Sequence, residues 1–440
     1  MSQPGQNNVQ LRRAVASSYL GSLIEYYDFL LYATAAAVVF NKVFFTNLDP
    51  VVATVASFGT FATGYLARPI GGVIFGHFGD LLGRKRMLVL TMTLMGVASF
   101  LIGLLPGYAQ IGGWAPVGLV LLRVIQGISV GGEWGGAVLM SAEHATSRRG
   151  LWASFTNAGA PSGVVVSTAA LSGTVAIVGE DAFLAWGWRI PFLLSLVLLA
   201  LGLFVRSRVE ETPAFRAAQR GAPRRSIPFV AVLRDHPRTL LLSIGVGLSA
   251  FVAQSTITTF VLSYGVQVGH SRQTVLNALT ISSACAIVGI IGWSAASDRF
   301  GRRPIVLAGA VAMAVYGFAL FPLVDSGSAA LLTLALVLGQ SVLHPMMYGP
   351  LAALYTELFS TENRYTGASL GYQIAGLGAG FAPLLFAEIQ RSTGGAATTA
   401  IAATMAGFCA LTVICMLALK ETSRQSLVAA DSDGKSTVAS

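Results

Sequence analysis

The sequence predicts an all-α integral membrane protein, with twelve spanning helices in two pseudo-symmetric bundles of six. Three observations carry this. Only 11% of the 440 residues are charged while 54% are hydrophobic, against about 25% charged in a soluble domain. The apolar residues gather in twelve stretches, each long enough to supply the roughly 20 residues a membrane helix needs. A charged loop also occurs twice, about half a chain apart, as in proteins built from two homologous membrane halves.

The elements follow in order. Residues 1–13 form a polar lead carrying Arg12 and Arg13. The first bundle, 14–206, contains apolar stretches at 14–41, 50–77, 87–106, 116–142, 150–178 and 186–206. A basic linker spans 207–238. The second bundle, 239–418, has stretches at 239–266, 271–296, 304–324, 328–354, 364–390 and 396–418, and a polar tail occupies 419–440. The first stretch is too long for a signal-peptide core, so Arg12-Arg13 reads as an anchor ahead of the first helix.

Orientation follows from the bases. With the N-terminus inside, Arg84, Lys85, Arg86, Arg148, Arg149, the linker arginines, Arg299, Arg302, Arg303, Arg364 and Lys420 share the cytoplasmic side, while Lys42, Arg189, Arg272 and Arg391 lie opposite. That asymmetry places both termini in the cytoplasm. The net charge of +9 is therefore an orientation signal, and nucleic acid is not an expected partner. The linker is either a set of short amphipathic helices on the anionic leaflet or a solvated tether; the tail is expected to be disordered. Cys285, Cys409 and Cys415 sit in apolar stretches without metal-ligand spacing, so neither metal nor cofactor is expected.

The repeated loop reads Gly76-His-Phe-Gly-Asp80-Leu-Leu-Gly83-Arg84-Lys85-Arg86 and Gly292-Trp-Ser-Ala-Ala-Ser-Asp298-Arg-Phe-Gly301-Arg302-Arg303. Asp80 and Asp298 stand 218 positions apart. Gly83 and Gly301 allow a tight turn, and the bases after them open the next helix, where the helix dipole disfavours positive charge. The aspartate and a facing helix end are expected to compensate, forming a clasp that can make and break between two conformations. A plain positive-inside anchor explains the bases but not the repeated acid and glycine. A second echo, Glu143…Arg148-Arg149-Gly150 against Glu357…Arg364-Tyr-Thr-Gly367, has nearly the same period.

Both loops resemble the signature loop of the major facilitator superfamily. The likeness sharpens with Glu25-Tyr-Tyr-Asp28-Phe29, Arg123-Val-Ile-Gln126-Gly127, Gly131-Gly132-Glu133-Trp134-Gly135-Gly136, Trp188-Arg189-Ile-Pro191-Phe192, Glu210-Glu211-Thr-Pro213 and Tyr355-Thr-Glu357-Leu-Phe. Together these are similar to the metabolite:proton symporter family, whose members carry shikimate, 2-oxoglutarate, citrate or betaines. The stretches 75–87 and 186–192 lean toward the shikimate permease branch. The resemblance implies a bacterial plasma-membrane or inner-membrane transporter, a monomer among lipids, whose partners are protons and a small organic acid.

The intramembrane charges supply candidate sites. Glu25 and Asp28 fall near mid-membrane on one helix face, with Tyr32 one turn beyond. An ionised group there costs roughly 2.5–3.5 kcal/mol unless it meets water or a partner, so this pair and Glu133 are candidates for proton coupling. The alternative is a structural ion pair with Arg123. Arg123, Gln126, Val130 and Glu133 line one face of the fourth helix, and Arg68 lies in the inner half of the second. The depths allow two charge layers, Arg123 with Asp28 or Glu25, and Arg68 with Glu133. A guanidinium grips a carboxylate bidentately, making Arg123 the first candidate for a substrate acid and Arg68 the second; snorkelling to cytoplasmic water is the other account of Arg68. Gln126, Tyr32, Gln254, Tyr348 and Gln373 are candidate hydroxyl partners. His344 reads as a core histidine or a titrating group, and Asn157-Ala-Gly159-Ala-Pro161 partly resembles an antiporter motif. With no catalytic triad or nucleotide loop, an enzyme is not expected. The favoured reading is proton symport of a small organic acid such as shikimate or 2-oxoglutarate; a proton-driven exporter or a betaine symporter is the alternative.

Overall fold

The structure, a computed structural model, describes residues 4–145, 147–212, 215, 228–393 and 397–423. Twelve long helices order the described chain, and no strand occurs among the described residues. The first half comprises α1 (Pro4–Val38), α2 (Pro50–Leu82), α3 (Arg84–Leu104), α4 (Trp114–His144), α5 (Arg149–Val178) and α6 (Arg189–Ser207). The second comprises α7 (Pro237–Gln267), α8 (Arg272–Phe300), α9 (Arg302–Asp325), α10 (Ala329–Glu357), α11 (Arg364–Thr393) and α12 (Ala397–Ala418). Helices α3 to α12 are each long and apolar enough to cross a membrane; α1 and α2, of 35 and 33 residues, complete the set.

The helices overrun the apolar stretches at the clasp end: α2 continues to Leu82 and α8 to Phe300. Hydropathy marks the lipid width, whereas backbone hydrogen bonding continues until a residue leaves the helical region. Gly83 and Gly301 do so at φ 110° and 99°, a conformation that costs side-chain-bearing residues dearly.

Within the first half α1 packs on α4, α5 and α6, and α4 on α2 and α3; within the second, α7 packs on α11 and α12, and α9 on α12 and α10. The halves meet mainly through α2 against α11 and α5 against α8, with α4–α11 and α5–α10 contacts alongside. Each of these pairs maps onto another when the halves are exchanged, so the interface is two-fold pseudo-symmetric. Close approach of α2 and α4 depends on small residues: a Cβ at Gly131 would strike the carbonyl of Arg68.

Where it is described, the linker contains a short helix, Pro228–Asp235, whose Val232 packs with Leu240, Phe359, Leu370 and Val73, so one of its faces lies against the seam of the two halves. Arg216, Arg220, Arg224 and Arg225 lie outside the described residues, as does the tail from 424. Residues 419–423 are ordered: Leu419 and Thr422 are buried, because the second clasp holds them.

Candidate functional site

Each clasp aspartate is held by the opposite half. Asp80 accepts from the N–H groups of Tyr365 and Thr366 at 3.3 and 3.0 Å and from the Thr366 hydroxyl at 2.8 Å. Asp298 accepts from the N–H groups of Gly150 and Leu151 at 2.8 and 2.9 Å. Both therefore cap a helix N-terminus, α11 and α5 respectively, where unpaired N–H groups and the helix dipole favour negative charge. Arg302 also bridges to Asp298 at 2.8 Å, and Arg84 lies 3.7 Å from Asp80. Gly76 sits against Thr366, leaving no room for a Cβ.

The second echo forms matching carboxylate hubs. Glu143 meets Arg84 at 3.5 Å, Arg364 at 3.2 Å and the Thr212 hydroxyl at 2.5 Å. Glu357 meets Arg302 at 3.2 Å, Arg149 at 3.8 Å and the Thr422 hydroxyl at 2.6 Å. Glu211 accepts from the Lys85 N–H at 3.1 Å, and Glu421 accepts from the Arg302 and Arg303 N–H groups at 2.9 Å. Burial works to raise the Glu421 carboxyl, but those hydrogen bonds outweigh it and hold the group below the usual carboxylate range. Glu421-Thr422 thus repeats Glu211-Thr212 at a distance of 210 residues. The dipeptide was visible in the sequence but sits in a polar tail that gave no reason to expect order.

Above the clasps lies a sealed floor. Tyr365 donates to the Gly132 carbonyl at 2.6 Å, and Gln373 donates to the Val130 and Gly131 carbonyls at 3.3 and 3.2 Å. Trp134 stacks on Tyr372 and donates to Asn157, which donates in turn to the Tyr348 carbonyl. Gln373, a candidate for substrate, is therefore committed to joining the halves. Gly159 and Gly163, near the antiporter-like motif, pack against α1.

Between the halves, on the far side of this floor, is a cavity of about 350 Å³, within the range of small-molecule sites. Tyr26, Phe29, Phe61, Tyr65, Phe251 and Tyr348 give it an aromatic wall, and Gln254, Gln340 and His344 give it polar groups. The walls from α7 and α10 each contain a π-helical turn, Thr256–Phe260 and Leu338–Leu343, a distortion frequent at functional sites. Arg68 is the one Arg, Lys, Asp or Glu among the described lining residues. Its guanidinium lies 4.5 Å from the Tyr65 ring centre and 5.1 Å from that of Phe29, and 3.9 Å from Glu25.

The charge layers differ from those expected. Arg68 faces Glu25, not Glu133. Glu133 is instead saturated by Arg206, at 2.7 and 3.1 Å, and by the Thr91 hydroxyl at 2.7 Å. Arg206, at the end of the sixth apolar stretch, was missed; an arginine level with a buried acid was the available signal. Asp28 is held by two hydroxyls, Ser99 at 2.5 Å and Ser195 at 2.6 Å. Arg123 donates to Gln126 at 3.2 Å, and Gln126 donates to Ser99 at 2.6 Å, so Arg123 reaches Asp28 through Gln126 and Ser99. Its guanidinium also covers the Tyr32 ring at 4.2 Å, while Tyr32 donates to Thr60. Arg123, Gln126 and Tyr32 consequently lie behind the cavity wall, and Arg68, Gln254 and Tyr348 are the substrate candidates that line it. Sequence reading gives depth along a helix but not which neighbour intervenes, hence the reversal of the two arginines.

No group of side chains with metal-ligand clustering occurs among the described residues. The family model described as Major Facilitator Superfamily matches residues 19–383 and, separately, 245–439. The shikimate transporter of Escherichia coli (strain K12) is 40% identical over 385 residues, covering 86% of this chain and 87% of that protein. The inner membrane metabolite transport protein YhjE of the same strain is 39% identical over 425 residues, covering 94% and 95%. The proline/betaine transporter of that strain is 34% identical over 399 residues, covering 87% and 79%. Among solved structures, the proton:xylose symporter XylE bound to 6-bromo-6-deoxy-D-glucose superposes with a TM-score of 0.73 at 20% identity, over 93% and 95% of the two chains.

Proposed function

Given that this chain belongs to the Major Facilitator Superfamily, as a transporter and not an enzyme, we propose that it takes up a small organic acid together with protons by alternating access. The observation that carries the reading is Arg68, a buried guanidinium on the wall of the central cavity whose acidic neighbour is held only at 3.9 Å. A substrate carboxylate presented to Arg68 makes the bidentate pair that Glu25 does not make. Glu25, displaced from Arg68 by the substrate, is then the acid that takes up the proton, so anion and proton load together. Asp28, one turn away, is the second proton-carrying acid.

The aromatic wall and the neutral groups Gln254 and Tyr348 suit a ring bearing hydroxyls, and the similarity to a shikimate transporter supports a shikimate-like acid ahead of 2-oxoglutarate. The clasp side is cytoplasmic, with both termini, in a bacterial inner membrane. The hydrogen bonds and ion pairs that join the halves lie at the clasps and the floor, so this state is closed inward, and rocking the halves breaks the clasps to release substrate inside. The working unit is a monomer of the two bundles, 14–206 and 239–418, joined by the linker.

A betaine is the second reading. Its carboxylate would meet Arg68 and its quaternary ammonium the aromatic rings, and the likeness to proline/betaine transporters favours it. Proteoliposomes separate these readings. Accumulation of radiolabelled shikimate only when the outside is acidic supports symport of an acid. Accumulation only when the inside is acidic supports an exporter, and competition by betaine but not by organic acids supports the second substrate.

A further inference from the structure

A small chamber of about 10 Å³ lies behind the cavity wall, lined by Glu25, Asp28, Phe29, Arg68, Arg123 and Gln126 among others. That is the space one water molecule requires. Two buried polar atoms at this chamber have no hydrogen-bond partner, Glu25 Oε2 and Arg123 Nε; both side chains are 4% exposed. One is an acceptor and the other a donor, and leaving either buried and unsatisfied costs about 1–3 kcal/mol. Gly64 lines the chamber too, and a Cβ there would sit 2.5 Å from Arg123 Nε.

We propose that this chamber is a binding site for a single water, which carries the proton between Glu25 and Asp28, and that the Phe29 ring is its door to the substrate cavity. The water accepts from Arg123 Nε–H and donates to Glu25 Oε2. Asp28, whose two oxygens each accept one serine hydroxyl, keeps further lone pairs for the water's second O–H. In the transfer, the O–H bond of protonated Glu25 breaks as the water takes that proton, and the water's other proton bonds to the Asp28 carboxylate. The water is regenerated and one proton has moved. Phe29 and Arg68 line both chamber and cavity, and the Phe29 ring stands 5.1 Å from Arg68 and 5.4 Å from Arg123. The charged groups facing the two acids are Arg68 from α2, Arg123 from α4 and, beyond Glu25, the Glu133–Arg206 pair.

This proposal rests on the proton-coupling reading above, and infrared spectroscopy of the purified full chain tests the two apart. Protonated-carboxyl bands are assigned by their loss in Asp28→Asn and Glu25→Gln, and their exchange is followed in deuterated water without any substrate. Filling the chamber with Gly64→Ala, or with Val130→Ile should the first not fold, is expected to slow exchange of the Asp28 band about tenfold, and Phe29→Leu to speed it. Slowing of less than about threefold by the filling variants overturns the water site while leaving the proton-coupling reading intact. If neither acid gives a protonated band at any pH, the proton-coupling reading falls and the relay with it.

Discussion

The two halves share a gate but not an interior. At the clasp end the halves agree almost atom for atom: Asp80 and Asp298 cap opposite helices, Glu143 and Glu357 each gather two arginines and a threonine, and Glu211 and Glu421 cap the helix after the turn. Around the cavity and the chamber behind it the first half carries Glu25, Asp28, Arg68 and Arg123, whereas the described wall of the second offers Gln254, Gln340, His344 and Tyr348. The lock is symmetric between the halves, whereas the charge around the cavity is concentrated on one side. A rocking carrier needs both halves to let go together, but one place is enough for loading its cargo.

That contrast can be broken in order of expected effect. Asp28→Asn, which removes a proton acceptor while keeping shape, is expected to lower pH-driven accumulation by about 100-fold or more while substrate exchange at equal pH survives; equal loss of both would strip Asp28 of a coupling role. Next come the arginines. Arg68→Lys should weaken organic-acid binding about tenfold, because the fork that grips a carboxylate is lost. Arg123→Lys, behind the wall, should change binding by less than about threefold; a reversed order in a binding titration would return Arg123 to the substrate. Asp80→Asn and Asp298→Asn should then act alike, each moving the closed-to-open equilibrium at the clasp by about 1–3 kcal/mol, read as spin-label distances across the two halves. Clearly unequal shifts would end the symmetric description. The smallest effect belongs to Glu421→Gln. The native carboxyl sits below its unfolded value, so its contribution is present above the ordinary carboxylate range and fades as pH falls through the folded value. The thermal destabilisation by Glu421→Gln should therefore be full at neutral pH and vanish in acid.

Much of this was legible beforehand, and for identifiable reasons. Twelve helices follow from hydropathy and length, since lipid leaves a chain little choice. The clasps follow from a repeated acid, glycine and base. What escaped was relational. Asp80 finds Thr366 across 286 positions, and no local pattern announces such a partner. Ser99 and Ser195 hold Asp28, yet a serine in an apolar stretch carries no distinguishing signal. Helix position assigns Arg68 and Arg123 a depth but not a neighbour, and the Phe29 ring that packs against both guanidiniums lines the cavity with Arg68 and without Arg123.

The long reach of those clasp contacts has a consequence for how the protein is made. The Asp80 carboxylate must wait for α11, and Glu357 receives Thr422 only after α12 has emerged. Each half can bury its own helices as it is synthesised, whereas the Asp80 side of the seal depends on pairings 286 positions apart. A newly inserted molecule is therefore expected to pass through a stage with finished helices and a half-made lock, which closes only when synthesis is nearly complete.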